Sequence, residues 1–282
     1  MQSLLAYNSY KLSSLTHVLY APRTLKDLKE VLRSIGGLNV GLVGMGTNVV
    51  LSRQRFGPER PFLTTAQLKG VVVHDNNTVE AYAGTSLAQV GDVALHHSLS
   101  GFEELSTIPG SIGGAVYMNA GCYGKQIGDL VEEVEVLNRA RMRFELFTRE
   151  MIVWKYRWSN LQDENFVISR VWLRLHMEKP TLIRSRTDEI WRLRKERFPL
   201  DAASAGSVFK RPQNGPPAGR LIEQMGLKGF RIGGACVSTK HAGWIINLGT
   251  ATSQDIQALI HFLHATVKAR YGVHLEVEQR II

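Results

Sequence analysis

Residues 107–124 read TIPGSIGGAVYMNAGCYG, and Gly110, Gly113, Gly114, Gly121 and Gly124 all fall inside this one largely apolar run. Each glycine costs an ordinary helix or strand up to about 1 kcal/mol relative to alanine. Two readings offset that cost. One is a glycine turn followed by a buried helix packed closely on a sheet. The other is close approach of backbone to a ligand. Uncommitted N–H groups in tight turns form concave donors for phosphate, and a helix N-terminus adds its dipole.

The whole chain is ordinary globular material. It has 282 residues, 44% hydrophobic and 21% charged, which fits about two domains. The net charge of +9 favours anionic partners. Lys and Arg are spread along the chain without interleaved aromatics, so phosphate-bearing cofactors and substrates are expected and nucleic acid is not. Cys122 and Cys236 make neither a disulfide framework nor a metal cluster, and the nine histidines form no HExxH pattern. No metal is expected. The first residues lack an apolar leader and no run is long enough to span a membrane, so the expected location is the cytoplasm, with no membrane partner.

A second glycine turn lies upstream. Thr24 and Asp27, then Leu25, Leu28, Val31 and Leu32 at helical spacing, predict a helix that ends at Gly36–Gly37. A strand over Val40–Gly44 leads into Gly44-Met45-Gly46-Thr47-Asn48 and a further strand, Val49–Leu51. The pattern does not continue as G-x-G-x-x-G, nor as a P-loop. Strands are predicted at Val71–Val73, Val79–Ala83, Leu130–Leu137, Phe144–Phe147, Phe166–Ile168 and Val171–Leu173. Helices are predicted after Gly84, over Asp188–Arg197, after Ala218 and after Thr252. Tyr271 to Ile282 alternates like a strand, with Glu276 and Glu278 on one face.

Several stretches together resemble the signatures of one flavoenzyme family, the UDP-N-acetylmuramate dehydrogenases, also called UDP-N-acetylenolpyruvoylglucosamine reductases. The glycine-rich stretch is similar to I-P-G-[ST]-[VI]-G-G-A-x-x-x-N-A-G-A-Y-G. Gly44 to Asn48 is similar to G-x-G-S-N, Tyr156-Arg157-Trp158-Ser159 to Y-R-x-S, and Ala205 to Pro212 to A-G-S-x-F-K-N-P. Ala218 to Ala242 and the tail Leu275 to Ile282 also follow the family order. Some positions depart. Asn8-Ser9-Tyr10-Lys11 stands where the family has Asn-Thr-Phe and a glycine pair, Arg211 replaces an asparagine, Lys195 to Pro199 lacks a glutamine-proline pair, and Gln279 replaces a valine.

The resemblance, which is to the shorter class lacking a substrate-closing insertion, implies an α+β fold. A two-lobed FAD-binding module of the vanillyl-alcohol oxidase/p-cresol methylhydroxylase type is followed by a substrate domain. The lobes fall at 1–70 and 71–190, the substrate domain at 191–270, and strand 271–282 returns to the second lobe. It implies non-covalent FAD held by Gly44, Met45, Gly46, Thr47, Asn48, Pro109, Gly110, Ser111, Gly113, Gly114, Asn119, Gly121, Cys122 and Tyr123. It implies a UDP-sugar held by Tyr156, Lys210, Arg211, Arg220, Lys240 and His241, with NADPH as reductant and a monomer or weak dimer. NADPH reduces the flavin, and hydride then passes to the enolpyruvyl terminal carbon. Arg157 and Glu278 steady the charge developing beside the carboxylate, and Ser207 delivers a proton to the neighbouring carbon. The product belongs to bacterial cell-wall synthesis. Two alternatives stay open: another FAD-linked oxidase or dehydrogenase of this fold, and a non-catalytic nucleotide-sugar binder.

Overall fold

The computed structural model describes residues 1–213 and 215–282. They form two compact units. A glycine unit comprises Tyr20–Met45 and Phe62–Arg192, and a tail unit comprises Met1–Leu19, Gly46–Pro61 and Leu193–Ile282.

The glycine unit is built on a five-stranded antiparallel sheet. Its order is Arg143–Thr148, Val131–Asn138, Phe166–Arg174, Thr78–Tyr82, Val71–Val73. Period-2 alternation divides the faces. Val79, Ala81, Val134, Val136, Val171 and Leu173 turn inward and pack with Val90, Leu105, Ile112 and Val116. Glu80, Glu135 and Arg170 turn the other way, and Arg170 reaches both carboxylates at 2.9 and 2.8 Å. The two strands predicted at Phe166–Ile168 and Val171–Leu173 are one strand. Its polar centre persists because Ser169 Oγ bonds Glu135 O and Oε1, beside a register shift at Glu135/Val136.

A smaller layer joins the same unit. The helix Leu25–Ile35 starts on a Thr24–Asp27 capping box and ends at Gly36 with φ 61°. Its buried Leu28, Leu32 and Ile35 pack with Leu63, Leu68, Leu137 and Val167. Gly41–Val43 pairs in parallel with Phe62–Thr64, directly before the first glycine turn.

The tail unit is woven from three separate pieces of chain. Leu15–Thr16 pairs with Gln2–Ser3 and with Arg55–Phe56. Arg280–Ile281 pairs in parallel with Val49–Val50. The expectation joined this tail to residues 71–190; its strand partner lies within residues 1–70. Regular strand is also shorter than the alternation predicts, and the helix Ser253–Tyr271 takes the first expected residue before Gly272 caps it at φ 68°. Beyond the cap, only an isolated bridge at Val277 and the pair 280–281 are strand-like. The helix predicted from Asp188 begins at Pro180, since proline at a first helical position loses no bond.

Candidate active site

The first glycine turn follows Val43. Gly46 has φ 71°, and a Cβ there would lie 1.9 Å from the Tyr7 carbonyl oxygen. Only glycine fits. Asn8 builds the wall it presses on: its side chain bonds Leu4 O, Leu12 O and Leu12 N, closing the loop that presents Tyr7 and Ser9. Ser9 donates from both N and Oγ to Gly46 O. Among the described residues, the N–H groups of Met45, Gly46 and Thr47 donate to no protein acceptor. A run of uncommitted amides in a turn is what a phosphate oxygen needs.

The second glycine stretch repeats the pattern inside the glycine unit. Gly110 has φ 138°, a conformation closed to other residues. Leu87 N bonds Gly110 O and Ile112 N bonds Thr85 O, leaving the Gly110 and Ser111 amides uncommitted among the described residues. Ser111 caps the helix Ile112–Tyr117 through Gly114 N, and its Oγ lies 2.8 Å from where a Gly44 Cβ would stand. Gly113 serves packing, because its Cβ would meet the Ala83 Cβ at 2.8 Å. Pro109 and Gly114 are exposed.

The Asn119 side chain is committed to protein partners. It is buried, its Nδ2 donates to Gln126 Oε1 and Lys155 O, and its Oδ1 accepts from Gly128 N. Its side-chain amide brackets protein segments and has no hydrogen left for a cofactor. Next to it, Cys122 Sγ donates to Glu104 O, while Tyr123 is exposed with φ 50°.

Arg157 is brought to this stretch. It sits at φ 55° in the turn between Trp154–Lys155 and Trp158–Ser159, a conformation that costs a non-glycine residue of order 1 kcal/mol. Its Nη2 donates to Gly121 O at 3.0 Å, and its guanidinium lies 4.9 Å from the exposed Tyr156 ring. Strained backbone at a forked cation fits a residue placed for a carboxylate.

The tail unit assembles the other expected residues. Ser207 to Lys210 is an extended segment between two neighbours. On one side Ser207 bridges Trp244 and Val208 N bonds Gly243 O. On the other, Phe209 bridges Val277, Glu278 N bonds Val208 O and Lys210 N bonds Glu276 O. The Ser207 hydroxyl is half-exposed and makes no hydrogen bond among the described residues. Glu276, expected on the same face as Glu278, pairs with Lys210 Nζ at 2.5 Å.

Asn48 wires the glycine turn to the tail. Its Nδ2 donates to Glu278 O at 3.2 Å, and its carbonyl accepts from Arg280 N at 2.9 Å. The resemblance implies a cofactor role for Asn48; here its side chain and carbonyl bond the groups on either side of Gln279. Of the remaining candidates, Arg211 and Arg220 are exposed, and Lys240 Nζ donates to Lys195 O. His241 accepts from Gly243 N and packs on Phe198, and burial pulls its pKa below the usual histidine value, so it is neutral at pH 7.

Two sequence departures turn out to be one device. The Tyr10 hydroxyl donates to Gln279 Oε1 at 3.0 Å, both residues being buried. Each reads alone as a polar group in an apolar place. Only their meeting across 269 positions explains them.

Residues 16–141 match the model of an FAD binding domain. Taken unit by unit, the uncommitted amides of Gly46 and Thr47 in the tail unit, and those of Gly110 and Ser111 in the glycine unit, are each suited to a phosphate oxygen of such a cofactor. Residues 198–282 match the model of the UDP-N-acetylenolpyruvoylglucosamine reductase C-terminal domain. The chain thus has an FAD-binding module followed by that C-terminal domain. A UDP-N-acetylenolpyruvoylglucosamine reductase of Caldanaerobacter subterraneus subsp. tengcongensis is 40% identical over 278 residues, covering 98% of this chain and 90% of the relative. Those of Thermotoga maritima and Listeria monocytogenes serovar 1/2a are 38% and 36% identical, covering 99% and 100% of this chain and 97% and 93% of theirs. The crystal structure of the Thermus caldophilus reductase superposes with a TM-score of 0.83 at 30% identity, over 99% of this chain and 97% of that one. With near-complete coverage on both sides, the chain belongs to the UDP-N-acetylenolpyruvoylglucosamine reductase family.

Proposed function

We propose that the protein is an oxidoreductase that converts UDP-N-acetylglucosamine enolpyruvate to UDP-N-acetylmuramate, with NADPH as the electron source, for peptidoglycan synthesis. The observation that carries this reading is the full-length likeness to the reductases, glycine turns and tail included. Bound FAD supplies the hydride relay from NADPH to the enolpyruvyl double bond. Within the glycine unit the uncommitted amides of Gly110 and Ser111, and within the tail unit those of Gly46 and Thr47, are each suited to its phosphates.

The chain's own residues supply position and a proton. The Arg157 guanidinium forks onto the substrate carboxylate, already aimed by Gly121 O and its strained turn. As hydride arrives at the terminal carbon, negative charge builds towards that carboxylate, and Arg157 with Glu278 steadies it. The Ser207 O–H bond then breaks, a C–H bond forms at the neighbouring carbon, and solvent returns the serine proton. A serine is a weak acid, so this step depends on placement, and the uncommitted hydroxyl on a fixed strand suits it. Arg211 and Arg220, with Tyr156 and Lys210, face the demands of a sugar diphosphate. His241, being neutral, contributes shape rather than charge.

Finer features belong to the same proposal: the vanillyl-alcohol oxidase type of module, its division at 1–70, 71–190 and 191–270, cytoplasmic location, and a monomer or weak dimer. Among the described residues no helix is long and apolar enough to cross a membrane. The test is steady-state turnover. NADPH consumption that depends on the enolpyruvyl sugar nucleotide supports the reading, and NADPH consumption indifferent to it overturns the reading.

A further inference from the structure

Gln279 is 4% exposed, and its amide is committed at both ends. Nε2 donates to the Ala205 and Gly206 carbonyls at 3.1 and 3.2 Å, and Oε1 accepts from the Tyr10 hydroxyl. Tyr10 is fully buried, and its own carbonyl accepts from Asn247 Nδ2 at 2.7 Å. Asn247 N in turn bonds Ala203 O at 2.8 Å. The loop Ala203–Ser207 is therefore gripped at its start by Asn247 and at its end by Gln279.

The grip falls at a telling peptide. The Gly206 carbonyl shares its peptide plane with the Ser207 N–H, so fixing that carbonyl fixes the plane from which Ser207 projects. No side chain packs over Gly206 itself: it has φ 77°, and nothing lies within 4 Å of where its Cβ would be. Gly206 N also donates to Ser204 Oγ within the turn, but the Ser207 hydroxyl itself has no hydrogen-bond partner among the described residues. Its direction comes from its backbone, which the Trp244 bridge holds beyond the turn and two donor bonds from one buried amide hold at the turn.

We propose that Gln279, backed by Tyr10, is a positioning residue for Ser207, setting the backbone orientation from which the hydroxyl delivers its proton; this rests on the function proposed above. Gln279→Val removes the two carbonyl bonds and leaves the Tyr10 hydroxyl without its acceptor. Tyr10→Phe/Gln279→Val removes the stranded hydroxyl as well.

The experiment uses the FAD-loaded full chain and follows the two half-reactions separately without oxygen. In Gln279→Val, bleaching of the flavin by NADPH stays at the wild-type rate. Reoxidation by the enolpyruvyl sugar nucleotide slows roughly 10- to 100-fold, because a displacement near 1 Å costs that much. kcat carries the loss, and KM for the sugar nucleotide changes less than about threefold, as expected when only a transition-state interaction is weakened. In a Ser207→Ala background Gln279→Val causes no further slowing, since the group it aims is gone. The double variant Tyr10→Phe/Gln279→Val regains melting temperature but not rate. Equal slowing of both half-reactions, an undiminished effect without Ser207, or recovery of rate in the double variant would reduce Gln279 to fold support and overturn the proposal. If Gln279→Val does not fold, Tyr10→Phe alone is the test. It slackens the amide yet keeps both carbonyl bonds, so reoxidation slows about threefold, and no slowing overturns the proposal. Wild-type reduced flavin that the sugar nucleotide fails to reoxidise would instead overturn the function reading, and this role with it.

Discussion

Replacing Glu103 by glutamine tests how the glycine unit holds the approach to its central stretch. The Glu103 side chain is 4% exposed. Its Oε1 accepts from Ser100 Oγ at 2.8 Å and from Arg186 Nε and Nη2 at 3.1 and 2.7 Å, while Oε2 accepts from Gly101 N at 2.7 Å. Burial alone would raise its pKa; the bonds from Arg186, Ser100 and Gly101 outweigh that and hold it below the ordinary glutamate value. Glutamine can keep its carbonyl towards Ser100 and Arg186, but its amide then faces the Gly101 N–H, donor against donor. A lost bond to a charged acceptor costs about 1.5–3 kcal/mol. The charge lost opposite half-exposed Arg186 adds no more than about 1 kcal/mol. The sum, roughly 2–4 kcal/mol, lowers the melting temperature by about 5–12 °C in a unit of this size.

The assay is thermal melting in saturating FAD at neutral and acid pH. A depressed folded-state pKa gives stability that is complete above the ordinary glutamate value and lost as pH falls through the folded one. The gap between wild type and Glu103→Gln must therefore shrink on acidification below about pH 4. A gap of less than about 2 °C at neutral pH, or one that widens in acid, refutes the reasoning.

Gly46→Ala places a Cβ 1.9 Å from Tyr7 O at φ 71°, so the turn must move; equilibrium dialysis should show FAD affinity reduced by at least about tenfold, the loss expected for a 1.4 kcal/mol displacement. Asn119→Ala leaves the buried Gly128 N–H and Lys155 carbonyl short of partners, and urea unfolding should lose about 2–4 kcal/mol. His241 has a folded-state pKa pulled down by burial, then by the charge of Arg197. It contributes stability above the ordinary histidine value that is lost as pH falls below it. Between about pH 7.5 and 5.5 wild type should lose more melting temperature than His241→Gln, and equal losses would count against a neutral buried imidazole.

Much of this was legible from local chemistry. The helix Leu25–Ile35 announces its cap, its apolar spacing and its glycine stop, and the sheet strands announce themselves by alternation. The glycine turns are legible because φ above zero and close approach leave no other residue type. What stayed hidden is long-range. The Tyr10–Gln279 pair spans 269 positions, so neither residue signals the other locally. Asn48 and Asn119 read as turn residues poised for a ligand, but an amide's partners are set by which strand passes beside it. Glu276 and Glu278 share one parity in the sequence, and the ion pair of Lys210 with Glu276 is a long-range contact that parity does not announce. Helix and strand limits slipped where proline or a left-handed glycine, not hydrophobic spacing, sets the end, as at Pro180 and Gly272.

The central claim is that Ser207 finishes the reduction of an enolpyruvyl group after electrons have already reached the flavin. A single-turnover mix of NADPH-reduced, oxygen-free enzyme with UDP-N-acetylglucosamine enolpyruvate asks this directly. Wild type should recover its yellow colour and form one UDP-N-acetylmuramate per flavin. Ser207→Ala should bleach normally with NADPH yet recover colour about 100- to 10,000-fold more slowly, the span of a lost general acid. Colour recovery at the wild-type rate in Ser207→Ala, or none in the wild type, would contradict the account.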